Sequence, residues 1–195
     1  MNDPMPFAKT ERRITRRGLT RGALRWIERG FALFGALIAI FWLTADISII
    51  VSPSMQPTLQ GSSVDKGDRL VTEKVSRWFR AHRRWDVVTY ITPAGEKRSK
   101  RIVGLPGEEV QMPTARGLRI DGRTIELPAV LAHQYLRFGN LADGNPVACG
   151  DGYYVLGDDL KDSDDSRFNG PVADRHIIGR AWLIVWPRER IGLVR

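Results

Sequence analysis

Residues 68–103 read DRLVTEKVSRWFRAHRRWDVVTYITPAGEKRSKRIV. Asp68 to Val75 follows the Lys66-Gly67 turn and reads as a strand. Trp85 to Thr92 is a second, closed by Pro93-Ala94-Gly95. Arg98 to Val103 is a third, ended by Gly104-Leu105-Pro106-Gly107. β-branched and aromatic side chains fit a pleated, half-buried surface, while Gly and Pro punctuate it. The pattern continues downstream. Glu109 to Met112 is short, and Leu118-Arg119-Ile120 and Arg123-Thr124-Ile125 flank Asp121-Gly122, a strong hairpin signal. Tyr153 to Leu156 and Ile177 to Trp186 complete the set, and only Ala129 to Phe138 favours a helical turn or two. Frequent short strands with such punctuation predict a mainly β fold, an antiparallel sheet.

Upstream the pattern differs. Phe31 to Ala45 carries no charge, and after Asp46 the apolar character resumes through Ile47, Ile49, Ile50 and Val51. Counting Trp26, Ile27 and that exit brings the run to the ~20 residues a membrane span needs. The chain's formal charge is +8, of which residues 1–30 supply +5 (eight Lys or Arg against Asp3, Glu11 and Glu28). Arginines on the N-terminal side alone place that side in the cytoplasm. The expected organisation is a basic cytoplasmic segment at 1–29, a transmembrane anchor at 30–48 and an extracytoplasmic β-rich catalytic domain at 49–195. A cleavable signal peptide is the competing reading. Thr15-Arg16-Arg17-Gly18-Leu19 resembles a twin-arginine signal, but Thr44-Ala45-Asp46 is a poor cleavage site. The charge brings neither a folded motif nor an aromatic platform for nucleic acid, so no nucleic-acid partner is expected.

Just past the apolar run stands Ser52-Pro53-Ser54-Met55-Gln56-Pro57-Thr58-Leu59. Prolines at 53 and 57 stiffen it and are expected to deny it a helix. Ser54 on so stiff a segment is a candidate nucleophile. A serine needs a base. His82, His133 and His176 are scattered, and the lone Cys149 excludes an intrachain disulfide and a Cys-based metal site. That leaves Lys100 in Ser99-Lys100-Arg101-Ile102-Val103. On a strand Lys100 shares a face with Ile102, and burial against apolar groups depresses a lysine from about 10.4. A third stretch, Gly157-Asp158-Asp159-Leu160-Lys161-Asp162-Ser163-Asp164-Asp165-Ser166-Arg167, is acidic. It begins like an EF-hand loop, but Arg167 stands where that loop needs Gly, so neither a metal nor any other cofactor is expected. A polar network around Ser163 is the alternative. Between strands, Ser76 to Arg84 mixes arginines with Trp78 and Phe79, which suits anionic headgroups.

Taken in order, SPSMQPTL after an anchor, GDRLVTEK, KRIVGLPGE, GDDLKDSDDSR and the closing IIGRAWLIVWP resemble the type I signal peptidase family over residues 30–187. These are membrane-bound serine endopeptidases with a Ser/Lys dyad that remove signal peptides from exported preproteins. The resemblance implies a mostly β fold, Ser54 as nucleophile and Lys100 as general base. It implies an oxyanion site from Ser52 and the Ser54 N–H. Ser163 would orient the base, with Asp165, Arg167 and Arg101 as a supporting ion-pair cluster. Ile50, Val51, Met55, Leu59 and Ser99 would line the substrate site. The implied partners are signal-peptide-bearing preproteins and the lipid bilayer, at the bacterial inner membrane. Departures are Asp159-Leu160 for the usual Asn-Arg, Asp162 for Asn, Ser99 for an aliphatic wall residue, Arg98 for an aromatic and Trp85 for Gly. The short segment from Lys100 to Gly157 predicts little or no second domain. Competing functions are a Ser/Lys peptidase dedicated to a few substrates of pilin or conjugation type, a silent homologue that binds secreted chains, and a soluble repressor-type autoprotease.

Overall fold

The computed structural model describes residues 16–112, 117–138 and 144–194. Residues 1–15 of the expected basic segment lie outside the described residues. Helix α1 runs Arg16–Thr44. Its part Gly22–Thr44, 23 residues of mean hydropathy 1.6, is long and apolar enough to cross a membrane. At 1.5 Å per residue it measures about 35 Å, against a hydrocarbon core of about 30 Å. Phe31, Leu37 and Trp42 are all exposed on it, and the Arg29 guanidinium lies over the Trp26 ring at 5.6 Å.

The helix stops at Thr44, short of the expected end at 48. Asp46 and Ser48 alternate with Ile47 and Ile49, a period of two, and the segment adds a strand to the sheet. The length comes from the Gly22 side instead.

The body from Leu43 onward carries these strands in chain order: β1 (Ala45–Ile49), β2 (Arg69–Glu73), β3 (Val87–Ile91), β4 (Lys97–Gly104), β5 (Glu109–Gln111), β6 (Arg119–Ile120), β7 (Arg123–Thr124), β8 (Val147–Ala148), β9 (Gly152–Leu156), β10 (Val172–Ala173), β11 (Ile177–Trp186) and β12 (Gly192–Leu193). The main sheet has the order β1-β2-β11-β3-β4-β9-β10, with β12 on β11, and a smaller one the order β7-β6-β5-β8. Every pairing among the described residues is antiparallel. The β6–β7 hairpin turns at Asp121 (φ 48°) and Gly122 (φ 74°), as a two-residue type I′ turn requires.

Among the described residues the body also carries the α-helices α2 (Ala129–Phe138) and α3 (Ser166–Asn169). The described residues between Lys100 and Gly157 form no separate body. Val110, Met112, Leu118, Ile120, Leu131 and Tyr135 share one apolar cluster with Val103, Tyr154, Leu156 and Leu160 of the main sheet and its loop. A second cluster holds Ile50, Met55, Leu59, Leu70, Val87, Ala181 and Ile184. It fastens the Ser52–Leu59 segment to β2, β3 and β11. Arg190 locks the same segment from the C-terminal side. It grips the Asp68 carboxylate at 2.8 and 2.9 Å and donates to Thr58 O at 3.0 Å.

Candidate active site

Pro53 does not deny this segment a helix. It starts one, a 3-10 turn over Pro53–Met55, at the first position, where no N–H is needed. Ser52 caps the turn, its Oγ accepting from Ser54 N at 3.3 Å. Met55 and Leu59 are buried beneath, so the turn is pinned to the core. The Leu59 expectation is corrected here. Its side chain is the plug of the second cluster and does not line the cleft.

Lys100 lies in the middle of β4, opposite Val88 of β3 and two residues before the fully buried Ile102. Its Nζ stands 2.6 Å from Ser54 Oγ and donates to Ser163 Oγ at 3.0 Å. Among the described residues no carboxylate touches Nζ. Burial pushes the ammonium down to about 8, helped by the charges of Arg98 and Arg167 and opposed by Asp165 and Asp164. Ser163 has a defined direction. Its hydroxyl donates to Asp165 Oδ2 at 2.5 Å, so its oxygen is left to accept from Nζ. A neutral amine that gives a hydrogen to Ser163 has its lone pair free for the Ser54 hydroxyl.

Asp165 is itself saturated. It takes Arg167 Nε at 2.8 Å, Arg167 Nη2 at 3.0 Å, and the backbone N–H groups of Gly157 and Arg167. The acidic loop also holds the serine segment directly, through Asp159 N to Ser54 O at 3.0 Å. Gly157 makes this approach possible: a Cβ there would stand 2.3 Å from Ser163 Oγ and 2.5 Å from Ser54 O.

The expected single ion-pair cluster divides in two. Arg101 does not join Asp165 and Arg167. It points to the other face of β4 and meets Asp158 with Nε at 2.8 Å and Nη2 at 2.7 Å, while also donating to Trp85 O and Thr58 Oγ1. Alternation along the strand forces the split, since residues 100 and 101 face opposite ways. Asp158 and Thr58 were not anticipated. The Gly157-Asp158 pair is visible in the sequence, but nothing local says which aspartate of the run meets Arg101. Trp85, whose carbonyl Arg101 holds, sits at φ 73°. That left-handed conformation explains why glycine is usual there.

A cleft of about 320 Å³ opens beside Ser54. Ile50, Val51, Ser52, Met55 and Ser99 line it. Ser99 Oγ lies 3.1 Å from Thr89 Oγ1, which lies 2.8 Å from Thr72 Oγ1, so its polar group is partly absorbed within the sheet. Lys97, Arg98, Asp162 and Asp164 also line the cleft. Lys97 reaches Asp46 on β1 at 2.6 Å, and Arg98 pairs with Asp164 at 2.6 Å and Glu96 at 2.7 Å. The first two residues of β4 therefore brace the cleft from both sides.

The family described as signal peptidase, peptidase S26, matches residues 23–186. A probable signal peptidase I-2 from Synechocystis sp. is 32% identical over 180 residues, 87% of this chain and 77% of that protein. The signal peptidase I of Leptolyngbya laminosa is 34% identical over 164 residues, 80% of this chain and 75% of its own length. The crystal structure of a signal peptidase I from Enterococcus faecalis is 25% identical, covers 52% of this chain and 97% of its own, and superposes with a TM-score of 0.43.

Proposed function

The chain belongs to the signal peptidase S26 family, and we propose that it is a membrane-anchored serine endopeptidase that removes signal peptides from exported preproteins. Ser54 is the nucleophile and Lys100 the general base. The observation that carries this reading is the 2.6 Å approach of a buried lysine to Ser54 Oγ, with hydroxyls alone as its hydrogen-bond partners among the described residues.

The chemistry is acyl transfer. Lys100 takes the Ser54 proton as Oγ attacks the scissile carbonyl, then passes that proton to the departing amine. Water deacylates the enzyme through the same base. Ser163 holds Nζ without adding charge, and burial, which brings Lys100 to about 8, leaves a large share of the amine neutral near pH 8 and more above it. The oxyanion forms beside Ser54 N–H and the Ser52 hydroxyl. In the free chain these two groups bond each other. The oxyanion takes both donors once the Ser52 side chain rotates, which its exposure permits. Ile50, Val51 and Met55 offer shallow apolar contacts that suit small side chains before the cut.

We place α1 across the plasma membrane of a bacterium, its basic N-terminal side in the cytoplasm and the catalytic body from residue 49 outside, where preproteins emerge. A second reading, a peptidase dedicated to a few substrates, is favoured by one observation: the charged cleft residues Arg98, Asp162 and Asp164.

The test is cleavage of a panel of preproteins in detergent, with sequencing of the released N-termini. Wild type is expected to cut after small residues, and Ser54→Ala and Lys100→Ala to leave every precursor intact. Cleavage by Lys100→Ala at the wild-type rate overturns the dyad. Cutting of only one or two precursors selects the dedicated reading.

A further inference from the structure

A second cavity, of about 490 Å³, adjoins Arg98, and the proposed chemistry makes no use of it. Arg98 lines both this cavity and the cleft beside Ser54. It stands two residues before Lys100 on β4, so about 7 Å of strand separates this shared wall from the dyad.

The cavity is built on the core. Tyr90 of β3 and Ser166 of α3 line it and are only 5% and 2% exposed. Ser166 Oγ is already occupied, accepting from Val155 N at 2.9 Å. Ile91 and Val172 add apolar wall, and Pro93 and Pro171 fix the backbone at two points of it.

The charges that face the cavity do not balance. The Asp165 carboxylate is spent on Arg167, on Ser163 and on two backbone N–H groups. Arg98 is matched by Glu96 and Asp164. Asp174, next to Arg175 in the chain, turns to Arg77 at 3.4 Å. Among the described residues this leaves the Arg175 guanidinium and the His176 imidazole on the cavity with no carboxylate partner. An unmatched guanidinium beside apolar walls suits a carboxylate carried on a short apolar stem. The cleft supplies such a ligand. A preprotein extended beside Ser54 rises about 3.3 Å per residue, so a residue within about four positions of the cut comes within reach of the cavity past Arg98.

We propose that this cavity is a specificity subsite that takes a glutamate or aspartate side chain of the preprotein, with Arg175 as its cation and His176 beside it. The proposal rests on the endopeptidase reading and narrows its substrate class. Preproteins with an acidic residue at one position near the cut are bound more tightly than those without.

The test is cleavage by the full chain in detergent of a synthetic peptide with alanine one and three positions before the cut. Glutamate or glutamine is placed at one other position at a time, from the fourth before the cut to the fourth after it. One position is expected to favour glutamate by about fivefold in kcat/KM, the worth of an exposed ion pair of about 1 kcal/mol, and through KM alone. Arg175→Ala is expected to erase that preference and to cut the glutamine peptide at the wild-type rate. Arg175→Glu is expected to favour lysine at the same position, a reversal that a merely structural arginine would not produce. No glutamate preference at any position overturns the proposal and leaves the endopeptidase standing. A preference that survives Arg175→Ala, or does not reverse in Arg175→Glu, also overturns it. Failure of the wild type to cut any peptide overturns the endopeptidase reading and the proposal together.

Discussion

Lys100 and Arg101 are neighbours on one strand, both 3% exposed, and they are given opposite surroundings. Arg101 meets a carboxylate in bidentate fashion and accepts no change of charge. Lys100 meets two hydroxyls among the described residues, and the Asp165 carboxylate is linked to it through Ser163. Burial alone therefore does not decide what a cation becomes. A carboxylate partner turns it into a structural pair, and hydroxyl partners suit it to the role of base proposed for Lys100.

The comparison can be broken in several ways, from the largest effect down. Lys100→Arg keeps the charge and most of the volume but cannot release its proton. Cleavage in detergent is expected to fall by roughly a thousandfold or more, as for loss of a general base. A variant within tenfold of wild type would remove Lys100 from that role. On the other face, Arg101→Met leaves Asp158 buried without its partner, and urea unfolding is expected to show a loss of about 3–5 kcal/mol. The double change Arg101→Met with Asp158→Leu is expected to recover most of it. A double variant as unstable as the single would mean the pair is not the source.

Third is the proton itself. Folding lowers Lys100 from an ordinary lysine's 10.5 to about 8. The unfolded chain thus binds more protons between those values, and stability rises with pH across that window. Below about pH 8 the buried ammonium costs about 3 kcal/mol, at ~1.4 kcal/mol per unit. Lys100→Met is expected to be more stable than wild type at pH 7 and to lose that advantage above about pH 10.5. Equal unfolding midpoints at pH 7 would contradict the desolvation. The wild-type rate is expected to rise through about pH 8, and a flat profile from pH 6 to 10 would count against a lysine base. The smallest effect belongs to the exposed brace. Arg98→Ala is expected to change stability by under ~1 kcal/mol, and a loss above 2 would give Arg98 a larger structural part than its exposure implies.

The sheet was legible because β-branched runs between Gly and Pro are a local signal, and strands such as Ile177–Trp186 fall where the residues predict. β1 was not legible. Its isoleucines continue the apolar composition of α1, and only their alternation with Asp46 and Ser48 separates the two. The site was legible through the order of its motifs, less through spacing. Lys100 is 46 residues from Ser54 and 63 from Ser163, so their meeting is made by sheet topology, which no local pattern encodes. The Asp158 partner of Arg101 was hidden for the same reason. Leu59 was misplaced because an apolar residue near a nucleophile reads alike whether it faces the cleft or the core.

Gly157 has a mechanical consequence. With only the thickness of a backbone between the Ser54 carbonyl and the Ser163 hydroxyl, the serine turn and the acidic loop behave as one part. Whatever lifts the loop breaks the Asp159 tether and withdraws the lysine's hydroxyl partner in the same motion. Heat inactivation should then follow departure of this loop and precede melting of the sheet, so the enzyme fails as a latch does, before its frame gives way.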